Sequence, residues 1–108
     1  MTTDETQAVI DRHMAALQTG DIDAVMEDYT DTSVFIVNLG GIAVGPDAIR
    51  PFLEAAGQLP GFVQTASFTE GDTHYVTWTA DAIAFGTDTL VVRDGHIAIQ
   101  TVAILLAP

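Results

Sequence analysis

The first half of the chain repeats its apolar residues with the spacing of α-helices. In the first segment, apolar side chains and one histidine recur every three or four residues, which predicts an amphipathic helix over residues 3–18. This stripe consists of Val9, Ile10, His13, Met14 and Leu17. Gly20 supplies a stop, and Asp21 is a good N-cap for a second helix over residues 22–29. Pro46 and Asp47 open a third helix, predicted over residues 47–56.

Runs of β-branched and apolar residues, separated by turn dipeptides, predict the strands. Residues 33–37 and 42–44 flank a Gly40-Gly41 turn and are expected to pair. From Phe62 onward the pattern is that of strands alone. The predicted strands there are residues 63–70, 73–84, 86–93 and 97–106, joined at Gly71-Asp72, Phe85-Gly86 and Asp94-Gly95.

The order of these elements, α-α-β-β-α-β-β-β-β, predicts a single α+β domain over residues 1–108. A chain of 108 residues has room for one modest core and for no second domain. Helices gather early and consecutive strands come late. We therefore expect a curved antiparallel sheet that wraps around the three helices.

Acidic residues dominate the charged surface, because three Lys plus Arg oppose fifteen Asp plus Glu, for a formal charge of −12. Such a charge repels phosphate backbones and anionic membrane surfaces, so neither nucleic acid nor a membrane is expected as a partner. The chain has no cysteine, which excludes disulfides, thiolate zinc sites and cysteine nucleophiles. No apolar stretch is long enough to span a bilayer, and the first residues do not resemble a secretory signal. We expect a cytoplasmic protein.

The sequence carries none of the usual motifs of cofactor or metal sites. It has no Gly-rich phosphate loop, nucleophile elbow or dinucleotide fingerprint. His74 and His96 flank hairpin turns without the spacing of metal ligands. An acidic cluster is most simply a solvated helix face: Asp21, Asp23, Glu27, Asp28 and Asp31. We therefore expect no cofactor and no metal.

One carboxylate, Asp88, interrupts an otherwise uncharged run of strand-forming residues. If the alternation of a strand holds, Asp88 shares a face with Leu90 and Val92. Either that face is solvated, or an acid points into an apolar space, where burial would raise its pKa and make it a hydrogen-bond donor or general acid. A structural acid that bonds backbone amides is the other alternative.

Three local motifs in this order resemble the SnoaL-like branch of the nuclear transport factor 2 superfamily. They are TGDIDAV at residues 19–25, GPDAIRPF at residues 45–52 and GTDTLVVRDG at residues 86–95. The resemblance covers almost the whole chain and implies a cone-shaped half-barrel with a deep, mostly apolar pocket, commonly in a homodimer. We expect a protein of the bacterial type. The resemblance does not specify an activity, since this superfamily holds isomerases, cyclases, epoxide hydrolases, dehydratases and non-catalytic binding domains.

Within this superfamily, the pattern of ketosteroid isomerase gives provisional roles to several residues. Asp88 falls where that family has its oxyanion-hole acid, a worked case of a carboxylic acid kept protonated by an apolar site. His13 falls at the oxyanion tyrosine and Tyr29 at a supporting tyrosine. The position of the catalytic base holds Val37 or, with a slip of one residue, Asn38, so the usual carboxylate base is missing.

The remaining candidates for ligand contact each have a simpler structural alternative. Trp78 is either core filler or a wall of the pocket, and Tyr29 and Phe35 are more often packing residues. Gln100 points inward on the isomerase pattern, or is an ordinary exposed residue. Asn38 ends a strand and fits turn chemistry as well as ligand contact.

These observations lead to a hypothesis of a pocket that binds a neutral, hydrophobic small molecule. In the catalytic version, a cofactor-free isomerase, cyclase or dehydratase uses Asp88 as acid and His13 as its partner or base. The predicted ligand-binding residues are Tyr29, Phe35, Val37, Asn38, Trp78 and Gln100. The alternative is a non-catalytic ligand-binding or dimerisation module, favoured by the apolar residue at the base position. We also expect a homodimer, because the sheet offers a large face rich in Val, Ile and Thr.

Overall fold

A computed structural model describes all residues 1–108 and contains the three predicted helices. They are α1 (Thr3–Thr19), α2 (Ile22–Met26) and α3 (Pro46–Ala56). A capping box starts α1, because the Thr2 side chain accepts from the backbone of Glu5 at 3.1 Å while the Glu5 carboxylate accepts from Thr2 N–H at 3.0 Å. Gly20 ends the helix in the left-handed conformation, with φ of 76°. None of the helices has the length and apolar character needed to cross a bilayer.

The second helix is shorter than the predicted residues 22–29. It ends at Met26, and Tyr29 opens a strand instead. The reason is a tertiary contact that local spacing does not reveal. Ile97 N–H donates to the carbonyl of Asp28 at 2.7 Å, and Tyr29 pairs with Ile97 across the sheet. Strand pairing therefore recruits residues that could have continued the helix.

Six strands form one curved, unclosed sheet in the order β2-β1-β6-β5-β4-β3. They are β1 (Tyr29–Val37), β2 (Gly41–Val44), β3 (Val63–Glu70), β4 (Thr73–Ala80), β5 (Ile83–Arg93) and β6 (His96–Leu106). The α+β class is confirmed, with one departure from a purely antiparallel sheet: β1 and β6 run parallel, whereas the other pairs are antiparallel. These two strands are far apart in the chain, so no hairpin dictates their relative direction.

The break between β4 and β5 lies at Asp81 and Ala82, so the predicted link at Phe85-Gly86 is wrong. Gly86 is instead a buried residue inside β5, paired with Trp78. A Cβ at position 86 would overlap the Trp78 indole. This glycine therefore provides the space in which the indole lies against the sheet, a role that strand glycines often have.

The core lies between the helices and the concave face of the sheet. Its buried apolar residues come from every layer: Val9, Ile10, Val25, Ile49, Leu53, Leu90, Val92 and Ile97. The predicted hairpin between β5 and β6 is confirmed, with φ of 52° at Asp94 and 77° at Gly95, as a tight two-residue turn requires. This hairpin sets β5 and β6 in register, and with them the two strands that carry Asp88 and Gln100.

We expect Gly86→Ala to destabilise the fold, because the added methyl group must displace the Trp78 indole. Overpacking of this kind costs about 1–3 kcal/mol of the free energy of unfolding. Urea denaturation measures this cost. Gly57→Ala is the matched control, since its Cβ would come no closer than 3.5 Å to another atom at an ordinary helical φ of −69°. Equal stability of the two variants would contradict the role assigned to Gly86.

Candidate functional site

Asp88 lies on the concave face of the sheet, on the side that the helices cover. Strand β5 places it between Val76 of β4 and Val102 of β6. Both carboxyl oxygens accept a hydrogen bond: Trp78 Nε1–H donates to Oδ1 at 2.8 Å, and Gln100 Nε2–H donates to Oδ2 at 2.9 Å. The carboxyl group is thus held in one orientation by a side chain from each adjacent strand.

Burial raises the pKa of Asp88 above the ordinary value for aspartate, because it removes water from the charged form. The hydrogen bonds from Trp78 and Gln100 and the charge of His13 act in the opposite direction without cancelling the effect. The stability associated with this shift is fully present below the ordinary Asp pKa and is lost as pH rises through the raised native pKa. Asp88 therefore keeps its proton to a higher pH than a surface aspartate.

Two mainly apolar cavities meet at Asp88, and both also contact Trp78 and Gln100. The first has a volume of about 220 Å³ and lies towards α1; the second, of about 320 Å³, lies towards α3. The first is lined further by Met14, Leu17, Leu53, Leu59, Phe62 and Val76. The second is lined further by Phe35, Val37, Phe52, Ile83, Val102 and Ile104. Their size and lining are those of a site for a small apolar ligand with few polar contacts.

Tyr29 lies behind Gln100, away from the cavity walls. Its hydroxyl donates to Gln100 Oε1 at 2.5 Å. Burial raises the pKa of Tyr29 well above its ordinary value, and the charges of Asp88 and Asp28 add to this, so the hydroxyl keeps its proton. Because Oε1 of Gln100 faces this donor, the amide N–H₂ of Gln100 faces Asp88. Tyr29 therefore orients Asp88 through Gln100.

Asp28 is a buried ion-pair partner, so the expectation that it belongs to a solvated acidic face is wrong. Its side chain is 2% exposed and accepts from Arg12 Nη2 at 2.6 Å and from His13 Nδ1 at 2.9 Å. Burial alone would raise the pKa of Asp28, but the hydrogen bonds from His13 and Arg12 outweigh it and hold the pKa below its ordinary value. The other four acidic residues of that cluster are exposed, as expected.

His13 joins this ion pair to Tyr29. Its Nε2 lies 3.4 Å from the Tyr29 hydroxyl oxygen, while Nδ1 contacts Asp28. Because the carboxylate of Asp28 can only accept, Nδ1 of His13 donates to it. Both ring nitrogens of His13 are thus engaged. His13 makes no direct hydrogen bond to Asp88, because Tyr29 and Gln100 lie between them.

The structure gathers most of the predicted site residues around the cavities. Those that line cavities reaching Asp88 are His13, Phe35, Val37, Trp78, Gln100 and Asp88 itself. Asn38 lies outside this set, because its Oδ1 accepts from Ile104 N–H at 2.8 Å and its Nδ2 donates to the Ile104 carbonyl at 3.0 Å. Its amide fastens the end of β1 to β6. The contacts of these residues with a ligand stay predictions.

The sequence analysis did not assign three polar residues of this region to the site: Arg12, Asp28 and His74. Arg12 and Asp28 meet only through the tertiary fold, and no local pattern signals their contact. His74 is buried and lines a third, smaller cavity that also reaches Asp88. Its alternation with Val76 and Trp78 on β4 is visible in the sequence and places it on the inner face. No group of three or more His, Asp or Glu side chains is arranged to hold a metal ion.

The fold and the family are shown by comparison with other proteins. The family model described as a SnoaL-like domain matches residues 10–100. The chain belongs to this family. No curated protein matches the sequence of this SnoaL-like chain significantly.

Solved structures with similar folds have diverse activities or none assigned. An NTF2-like protein of unknown function from Mesorhizobium loti superposes with a TM-score of 0.82 at 20% identity, over 95% of this chain and 93% of its own. An NTF2-like protein of unknown function from Burkholderia xenovorans gives 0.77 at 18% identity, over 97% and 88%. An LEH-like epoxide hydrolase from M. tuberculosis gives 0.73 at 18% identity, over 95% and 84%. At these identities the similarity establishes the fold and leaves the activity to the residues of the site.

We expect Asp28→Ala to lower the free energy of unfolding by about 3 kcal/mol, because it leaves the buried His13 without its carboxylate partner. Chemical denaturation at neutral pH measures the loss. The wild-type advantage should persist above the ordinary Asp pKa and disappear as pH falls through the lowered native pKa of Asp28.

Asp23→Ala is the control for this substitution. Asp23 also pairs with an arginine, Arg50, at 2.8 Å, but its side chain is 82% exposed. Its loss should change stability by less than about 0.5 kcal/mol. Similar costs for the two substitutions would show that the ion pair of Asp28 is no more than a surface contact.

Proposed function

We propose that this SnoaL-like protein binds a neutral, largely apolar small molecule and transfers a proton within it, with Asp88 as the acid. The observation that supports this most directly is the position of Asp88 where the two apolar cavities meet. The hydrogen-bond partners of Asp88, Trp78 and Gln100, are neutral, so no cationic side chain is paired with its carboxyl group. The chain's net charge of −12 further disfavours an anionic ligand.

The proposed chemistry uses the raised pKa of Asp88. In its protonated form, Asp88 donates a hydrogen bond to a ligand oxygen, such as a ketone, that gains negative charge when a neighbouring C–H proton is removed. Trp78 and Gln100 keep the carboxyl group in place, so little reorganisation accompanies the reaction. When the proton removed from the ligand carbon is returned to another carbon, the product is an isomer, and the reaction needs no cofactor.

The alternative proposal is a binding module without catalysis. Both ring nitrogens of His13 are engaged by Asp28 and Tyr29, which weakens its proposed role as base, and Val37 stands at the usual base position. Epoxide hydrolysis is less well supported, since Arg12 is committed to Asp28 away from the cavities that meet at Asp88.

Asp88→Asn distinguishes these proposals when two probes are used. The first probe is 3-cyclohexen-1-one, whose isomerisation to the conjugated ketone is followed by ultraviolet absorbance. We expect the wild-type protein to accelerate this reaction and Asp88→Asn to lower the rate by about 10²–10⁴-fold, the usual contribution of general acid–base catalysis. The second probe is 2-naphthol, an apolar phenol whose fluorescence reports binding.

The control is Asp94→Asn, because Asp94 is exposed in the β5–β6 turn and its φ of 52° suits asparagine equally well. Acceleration by wild type and by this control, but not by Asp88→Asn, supports catalysis. Binding of 2-naphthol that weakens in Asp88→Asn, without any acceleration, supports the binding module. If the wild-type protein binds neither probe, the proposed function fails.

We also propose that the protein forms a homodimer through the convex face of the sheet. Residues paired across β3 to β6 give the middle of this face an uncharged surface: Phe68, Tyr75, Thr77, Phe85, Thr87, Thr89, Thr101, Ala103 and Leu105. Two chains that each carry a charge of −12 repel one another least where neither presents a charge. A second copy of the same face is therefore the partner that fits.

Thr89→Asp should dissociate this dimer, because it places two like charges at the centre of the proposed interface. Sedimentation velocity is expected to show a dimer for wild type and a monomer for the variant. Thr32→Asp adds the same charge at an exposed position on β1 and should leave the dimer intact. A monomeric wild-type protein would overturn this proposal.

A further inference from the structure

His74 is a buried titratable side chain that the proposed function does not yet use. It is 5% exposed and lies on the inner face of β4, two residues before Val76. It lines a cavity of about 50 Å³ whose walls also include His13, Asp88 and Gln100. This small cavity shares Asp88 and Gln100 with the two larger ones. A ligand bound against Asp88 would therefore lie beside the cavity that His74 lines.

A chain of hydrogen bonds fixes the tautomer of His74. Gln7 Nε2–H donates to the carboxylate of Asp11 at 2.8 Å, so Gln7 Oε1 faces Thr69 and accepts its hydroxyl proton at 2.6 Å. With that proton used, the Thr69 oxygen must accept from His74, whose Nδ1 lies 2.8 Å away. The proton of neutral His74 therefore sits on Nδ1, and Nε2 carries a bare lone pair.

The Nε2 atom has no hydrogen-bond partner among the described contacts of His74. Every side-chain nitrogen or oxygen that is fully buried in this protein has a hydrogen-bond partner. Because Nε2 has none, it is not fully buried. Nε2 thus keeps accessible surface, and His74 is one of the residues that line the small cavity. A histidine that served only as core filler would satisfy both ring nitrogens, as His13 does with Asp28 and Tyr29.

Burial lowers the pKa of His74, and the charge of Asp11 opposes this only in part. The groups that surround it come from three elements: Asp11 and His13 on α1, Thr69 on β3 and Asp88 on β5. Neutral imidazole is therefore the favoured form inside the fold. A neutral imidazole with an oriented Nδ1–H is the form that accepts a proton.

We propose that His74 Nε2 is the proton acceptor for the ligand that binds against Asp88. This inference rests on the proposed function and supplies the base that position 37 lacks. In this step, a C–H or O–H bond of the ligand breaks, and its proton binds to the Nε2 lone pair of His74. The electron pair moves to the ligand oxygen that Asp88 contacts. Return of the proton to another ligand atom restores neutral His74, so no co-reactant is consumed.

The first test is nitrogen NMR of the wild-type protein labelled with ¹⁵N-histidine, which separates protonated from bare ring nitrogens. We expect His74 to show a protonated Nδ1 and a bare Nε2 at neutral pH. Addition of 2-naphthol should shift the Nε2 resonance towards the hydrogen-bonded position, whereas naphthalene, which lacks the hydroxyl, should not. A protonated Nε2 in the free protein would overturn the proposal without any variant.

The second test compares His74→Phe with His96→Phe. Phenylalanine keeps the aromatic bulk of His74 and removes its nitrogens. His96 is the first residue of β6 and lies outside these cavities. We expect His74→Phe to weaken 2-naphthol binding about tenfold, the effect of one lost hydrogen bond, and to leave naphthalene binding unchanged. His96→Phe should change neither.

The outcomes separate this inference from the proposed function. If His74→Phe weakens both compounds equally, or neither, His74 is a packing residue and only this inference fails. If the wild-type protein binds neither compound, the proposed function fails and the inference with it. If His74→Phe does not fold, the NMR measurement on the wild-type protein decides.

Discussion

The site depends on one line of hydrogen bonds that begins at the surface and runs through the interior to Asp88 and Trp78 at the cavities. Its members, in order, are Arg12, Asp28, His13, Tyr29, Gln100, Asp88 and Trp78. Each contact fixes the direction of the next, because Asp28 can only accept and Tyr29 has one proton to give. Loss of a single member leaves a buried polar group unsatisfied, at a cost of about 1–3 kcal/mol. The line therefore specifies orientation as well as stability.

The fold shifts the pKa values of Asp28 and Asp88 in opposite directions. Asp28 is surrounded by Arg12 and His13, and their hydrogen bonds overcome the cost of burial and hold its pKa down. Asp88 receives only neutral donors, so burial dominates and its pKa rises. Asp28 is a fixed charge that links α1 to the residues that precede β1. Asp88 is left able to change its protonation state, which is the property that a reactive group needs.

The sequence predicted the parts of the fold that depend on local patterns. Alternation on β5 was enough to place Asp88 on the same face as Leu90, because a strand side chain can point only one of two ways, but it left open whether that face is solvated or covered. The buried state of Asp28 could not be predicted, since its neighbours in sequence are acidic and its partners lie on α1. The turn before β5 was misplaced because Gly86 looks like a turn residue until the Trp78 indole is seen against it.

The pKa values of Asp88 and His74 are shifted towards one another, and this links the electrostatics of the site to the proposed chemistry. Burial raises the pKa of Asp88 and lowers that of His74, so the fold favours the neutral form of both. In the proposed reaction, Asp88 starts as a neutral acid and His74 as a neutral base. Proton transfer to His74 then creates a cation beside the ligand oxygen that gains negative charge, so the two charges appear together. A site of this kind requires a neutral ligand, which is also the ligand that a chain with a charge of −12 does not repel.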